Sequence, residues 1–254
     1  MGRVARLACA LLTALLASSA LHAPQLAAQS VATQSAATQA AQSTTAPRFA
    51  DQIEKLLAED RRSPPKDGSI LFIGSSIFRL WTTVAEQMAP LPAYNRAFGG
   101  SRTPEMLEQF DALVRPHTPR VIVYYCGSND VAGGEPAAAV IDRIMQFVAR
   151  VRETLPGTRV FFVSINKAPS RQKTWDVADA VNAAIKRQAD ALDELEYIDV
   201  NPVLFDADGR PRTELYLSDM LHFQPPAYVE FTRIIKPVLM RAWEAKDRRS
   251  PTPR

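Results

Sequence analysis

Cysteine and histidine are scarce in this 254-residue chain, with two of the first and three of the second. Cys9 lies in a leader that is expected to be removed, which leaves Cys126 alone. A mature chain with one cysteine cannot close an internal disulfide in any compartment, so its fold must rest on the core. The histidines are His22, His117 and His222. So few exclude a His-rich metal site and shorten the search for a general base. Charge of one sign is also lacking, since 30 Lys and Arg stand against 27 Asp and Glu. Arg3 and Arg6 belong to the leader, so the mature chain is nearly neutral and carries no electrostatic footprint for nucleic acid.

What is present begins with hydrophobic residues, 46% of the chain, enough for a sizeable core. Residues 1–28 open with Arg3 and Arg6, continue through an apolar run over 7–17, and end in small residues. The run is shorter than the about 20 residues that span a bilayer. The layout is that of a secretory signal peptide, so the protein is expected to be secreted or periplasmic, with no membrane span after cleavage. Cys9 comes too early, and without the flanking residues, for a lipoprotein site. Residues 29–47 are almost entirely Ala, Ser, Thr and Gln. They have too little apolar surface to offset the entropy of ordering, and read as a flexible tether. Residues 246–254, KDRRSPTPR, read as a charged tail. The folded part is therefore expected over 48–245.

Within it, short apolar β-branched runs alternate with helical spacing. Helices are expected over 49–57, 103–114, 136–155, 174–195 and 226–243, and strands over 70–73, 93–97, 121–126, 160–165 and 197–200. Runs such as VIVYYC and VFFVSI are apolar throughout rather than alternating. Such strands are buried on both faces, and helices between them imply parallel crossovers. The expectation is one three-layer α/β domain. No internal repeat is visible.

In such sheets ligands bind beyond the carboxyl ends of the strands, which directs attention to four places. Gly74-Ser75-Ser76 follows the first strand, Gly99-Gly100-Ser101 the second, and Gly127-Ser128-Asn129-Asp130 the third; Asp219-Met220-Leu221-His222 precedes the last helix. Each alone has an ordinary reading: a helix cap, a glycine turn, a capped turn, a surface pair. Together they supply the parts of an acyl-transfer site. Ser76 offers a nucleophile, His222 a base, and Asp219 an acceptor that orients the imidazole. The backbone N–H groups of Ser76 and Gly100, with the Asn129 side-chain amide, are candidate donors to an oxyanion.

These blocks resemble the SGNH (GDSL-type) hydrolases, whose four motifs contribute Ser, Gly, Asn and His in that order. The resemblance runs from about residue 69 to 228 through ILFIGSSIFRLW, NRAFGGSRT, YYCGSND and SDMLHFQPPAY. It places Ser76, Gly100, Asn129, Asp219 and His222 in the catalytic and oxyanion positions. Ser75 stands where the usual motif has Asp, and Met220 where Gly is often found. The resemblance implies a flavodoxin-like, doubly wound sheet of about five parallel strands, ester or thioester hydrolysis through an acyl-enzyme, and no metal or organic cofactor.

Other residues compete for a role. Cys126 ends an apolar strand and reads as a core thiol. His117 lies in a loop before the third strand, at the opposite edge from the candidate site. Lys167 to Trp175, KAPSRQKTW, follows the fourth strand on the active edge. There Arg171 and Trp175, with Arg102 beside the second block, are the candidates to touch substrate, although Trp175 could equally pack the next helix. The expected partner is a small-molecule ester, O-acetylated carbohydrate among the options, because no long insertion offers a lipid-covering lid. Alternatives are acyl transfer to a sugar or cell-wall acceptor, and a non-catalytic carbohydrate-binding module on the same scaffold. Oligomeric state stays open.

Overall fold

Residues 48–247 are described by the structure, a computed structural model; the leader (1–28), the tether (29–47) and the end of the tail (248–254) lie outside the described residues. Helix α1 (Ala50–Arg62) precedes the first strand, β1 (Ile70–Gly74). Two short helices, α2 (Ser76–Arg79) and α3 (Val84–Met88), lead to β2 (Ala93–Asn95). Helices α4 (Thr103–Glu108) and α5 (Phe110–Leu113) lead to β3 (Val121–Tyr125), and α6 (Ser128–Ala132) and α7 (Ala137–Thr154) to β4 (Arg159–Val163). Helix α8 (Trp175–Ala189) leads to β5 (Leu195–Ile198), and α9 (Pro225–Asp247) closes the fold.

All neighbouring strands are parallel, in the order β2-β1-β3-β4-β5. This is the flavodoxin-like, doubly wound α/β sheet, with its switch point between β1 and β3. Every residue of β1 and β3 is buried. The pleat sends Ile70 and Phe72 to one face and Leu71 and Ile73 to the other. The first pair joins a core with Phe78, Trp81, Tyr228, Phe231 and Leu239, from α2, its exit and α9. The second pair joins Ile53, Phe110, Ile144, Phe147 and Val181, from α1, α5, α7 and α8. Helices thus cover both faces, which is why these strands are uniformly apolar.

Several elements differ from the sequence reading. The helix expected over 103–114 is two, separated at Gln109 (φ −88°, ψ 6°), and Phe110 then packs edge-on against Phe147 with ring centroids 5.4 Å apart. The helix expected over 174–195 stops at Ala189, before a segment rich in Asp and Glu, whose charges oppose the negative end of the helix dipole. The strand that follows therefore starts at Leu195, two residues earlier than expected, and pairs Leu195 with Val160 and Ile198 with Val163. Helix α9 runs on to Asp247, into the first two residues of the expected tail.

Candidate active site

The nucleophile candidate owes its place to Gly74. Its φ is 148°, and a Cβ there would lie 1.8 Å from the carbonyl oxygen of Tyr125 on the adjacent strand. Only glycine fits such a close approach. The Ser75 N–H then donates to that same carbonyl at 3.1 Å. Ser75 is buried at the N-cap position and Ser76 opens α2, half-buried at the carboxyl edge of the sheet. It is Ser76, therefore, whose Oγ meets His222 Nε2, at 2.9 Å.

His222 sits in a tight turn before α9, closed by the Leu217 N–H donating to its carbonyl at 2.7 Å. One oxygen of Asp219, Oδ1, accepts the backbone N–H groups of Leu221 and His222, both at 3.0 Å. The other, Oδ2, faces His222 Nδ1 at 2.6 Å. Burial pushes the Asp219 carboxyl up, but the hydrogen bonds from the His222 side chain and from the two backbone N–H groups outweigh it and hold it down to about 2. A carboxylate on Nδ1 fixes the proton there, leaving Nε2 free to accept from Ser76. The turn puts Met220 at φ 53°, a left-handed conformation that glycine adopts without steric cost.

The oxyanion candidates come from the ends of β1, β2 and β3, which are stitched together. The Phe98 N–H donates to the Gly74 carbonyl at 3.0 Å, and Ser101 Oγ to the Phe98 carbonyl at 2.9 Å. Asn129 Nδ2 donates to the Ser101 carbonyl at 2.9 Å, one residue beyond Gly100. Gly100 itself has φ 81°. Among the described residues, the N–H groups of Ser76 and Gly100 have no hydrogen-bond partner. An amide nitrogen carries two hydrogens, so Asn129 keeps one donor after serving Ser101.

Several supporting residues were not anticipated from the sequence. Gln52 on α1 pairs with the Gly99 peptide, and Arg48 Nη2 donates to the Gly100 carbonyl at 3.1 Å. Asp130 is fully buried and accepts the Thr103 N–H at 3.0 Å and the Thr103 hydroxyl at 2.5 Å, tying α6 to the start of α4. Arg143 Nε reaches the same hydroxyl at 2.7 Å. The GSND string contained Asp130, but nothing in it pointed to a partner 27 residues away.

Of the three candidates for touching substrate, Arg171 donates to Ser128 Oγ at 2.5 Å and to Asn129 Oδ1 at 2.8 Å. Trp175 donates from its indole to the Ala168 carbonyl at 2.9 Å and packs edge-on against Phe205. The Arg102 guanidinium lies over Gly133, where a Cβ would be 2.8 Å from Nη2. Cys126 is buried among apolar side chains, and that burial pushes its thiol well above the usual range. His117 is buried with Asp60, Arg96 and Tyr94, the last at the edge of the sheet.

Residues 72–229 match the model of the GDSL-like lipase/acylhydrolase family, and the chain belongs to that family. Solved structures share its fold. A Streptococcus pneumonia protein named for platelet activating factor superposes with a TM-score of 0.67 at 22% identity, over 85% of this chain and 100% of that one. A GDSL-like lipase from Bacteroides thetaiotaomicron gives 0.64 at 18% identity, over 75% and 98% of the two chains. A carbohydrate esterase family 3 protein from Talaromyces cellulolyticus gives 0.57 at 17% identity, over 70% and 98%. No curated protein matches the sequence significantly.

Proposed function

We propose that the protein is a serine esterase that cleaves small acyl esters, O-acetylated carbohydrates among them, through an acyl-serine intermediate. The observation that carries this reading is the hydrogen-bond chain from Ser76 Oγ through His222 to Asp219, at 2.9 and 2.6 Å.

In the first half-reaction Ser76 Oγ bonds to the ester carbonyl carbon while its proton passes to His222 Nε2. The carbonyl oxygen takes the displaced electron pair and is met by the N–H groups of Ser76 and Gly100 and the spare Asn129 hydrogen. As the carbonyl reforms, the bond to the alcohol oxygen breaks, and that oxygen takes the proton from Nε2. Water then repeats the sequence on the acyl-serine, giving up one proton through His222 and returning Ser76 as a hydroxyl. Asp219 stays ionised throughout and balances the imidazolium charge. Small, accessible esters suit a fold that, among the described residues, shows no long insertion available as a lid over the serine. The shared fold with a carbohydrate esterase makes acetylated sugars the natural members of a substrate panel.

The test is hydrolysis of p-nitrophenyl esters of rising chain length and of acetylated sugars by wild type and Ser76→Ala. The expected result is turnover of the short esters that disappears in the variant. Activity that survives Ser76→Ala would remove the acyl-serine route.

A further inference from the structure

We propose that Arg171 fixes and polarises the Asn129 amide, which makes it a positioning residue for the oxyanion donor set. This rests on the reading above that Asn129 donates to the oxyanion.

Arg171 lies in the 3₁₀ turn Pro169–Thr174 that follows β4 and reaches across to the end of β3. Its Nη2 donates to Asn129 Oδ1 at 2.8 Å and its Nη1 to Ser128 Oγ at 2.5 Å. Both acceptors are neutral. The side chain is half-buried, and burial lowers the guanidinium pKa against the opposing influence of Tyr125 and Asp219. Such a charge is costly to seat without a carboxylate directly on it. A surface arginine placed to collect substrate would not need to be tied down at both nitrogens.

The consequence for Asn129 is orientation. An amide side chain can be turned either way with little change in shape. A guanidinium has only donors, so it accepts nothing but the Oδ1 face. The Ser101 carbonyl, which has only lone pairs, demands the Nδ2 face and takes one of its hydrogens at 2.9 Å. Two partners with opposite requirements thus hold the amide in a single orientation, with one N–H uncommitted. A flipped Asn129 would set its oxygen against the developing negative charge.

The second effect is electronic. A permanent positive charge on Oδ1 withdraws density from the amide nitrogen, and the remaining N–H becomes a stronger donor. That matters little to a neutral ester and more once the carbonyl oxygen carries charge, so the benefit falls on kcat. Lysine cannot replace it fully, because a point ammonium does not bridge two acceptors in a fixed fork.

The experiment is steady-state kinetics on p-nitrophenyl acetate with wild type, Arg171→Met, Arg171→Lys, Asn129→Ala and the Arg171→Met/Asn129→Ala pair, each checked for a native melt. Arg171→Met is expected to lower kcat by about tenfold to a hundredfold with little change in KM, and Arg171→Lys to fall between it and wild type. Asn129→Ala should lower kcat by about 10²–10³. In that background Arg171→Met should add less than about twofold, since the group it acts through is gone. A loss that sits in KM, or one that multiplies undiminished in the Asn129→Ala background, overturns the proposal and returns Arg171 to substrate binding or to structure. If Asn129→Ala leaves kcat unchanged, the oxyanion reading fails first and this inference falls with it. Should Arg171→Met not fold, Arg171→Lys decides alone: a several-fold loss of kcat that vanishes in the Asn129→Ala background supports the role, and wild-type kcat overturns it.

Discussion

Gln52 and Gly99 are joined by two hydrogen bonds across 47 residues of chain: the Gly99 N–H donates to Oε1 at 2.8 Å, and Nε2 donates to the Gly99 carbonyl at 3.2 Å. The peptide so held is the one before Gly100, whose N–H is a candidate oxyanion donor. A side chain at Gly99 would meet the Arg79 guanidinium, since a Cβ there would lie 2.4 Å from Arg79 Nε. Gln52→Leu is therefore expected to fold and to lower kcat by about tenfold with little change in KM. Steady-state kinetics beside a thermal melt checks this. Unchanged kcat would detach α1 from the site.

Met220 carries the left-handed turn between Asp219 and His222 at φ 53°. A β-branched residue tolerates that conformation poorly, and glycine tolerates it freely. Met220→Gly should keep near-wild-type kcat, while Met220→Val should lose activity and about 1–2 kcal/mol of stability. Chemical denaturation of the two variants, with kcat for each, makes the comparison. Equal behaviour would show that the turn does not constrain the pair.

The pH dependence of turnover follows from the Asp219 carboxyl, held down to about 2 by its hydrogen bonds. A group so far depressed stays ionised across the working range and is protonated only as pH falls through that value. The acid limb of kcat/KM is thus expected to carry no contribution from the Asp219 carboxyl in the ordinary carboxylate range. A limb with a slope of two would show the carboxylate titrating together with its partner.

Stability should also respond to acid, through a different histidine. His117 is buried, with Nε2 3.1 Å from Asp60 Oδ2 and without the alignment of a hydrogen bond. Burial lowers its pKa from 6.5, Asp60 pulls it up, and Arg96, hydrogen-bonded to Asp60 at 2.7 Å through Nε, lowers it further. The folded value therefore lies below the unfolded one. Below about pH 6.5 the unfolded chain binds the extra proton, so stability is full above that range and declines as pH falls through it. The melting temperature should drop between about pH 7.5 and pH 5.5 in wild type and drop less in His117→Leu. Parallel slopes would assign the acid sensitivity elsewhere.

What could be read from the sequence is what backbone geometry forces into residue choice. A strand buried on both faces must be apolar throughout, and the turn that leaves it beside another strand must be Gly, so Ile70–Gly74 and its serines stood out. The Asp-x-x-His spacing was visible for the same reason, being confined to one turn. Arg171 stood out on the active edge as a candidate to touch substrate, but its bonds to Ser128 and Asn129 did not, because composition cannot tell a basic side chain reaching for a ligand from one folded back onto a neighbouring loop. Gln52 left no trace at all. It sits in an amphipathic helix where a half-buried polar residue is unremarked, and its partner lies beyond any local pattern. The early end of α8 was missed because acidic residues weaken a helix without forbidding it.

The serine and its histidine stand 146 residues apart in the chain. All five strands precede the segment that carries His222 in the chain. On the proposed mechanism, a nascent or clipped protein that ends ahead of that segment keeps the hydroxyl but lacks the group that takes its proton. Turnover, on that reading, needs the segment between β5 and α9 and is expected to be absent from any product that ends before it.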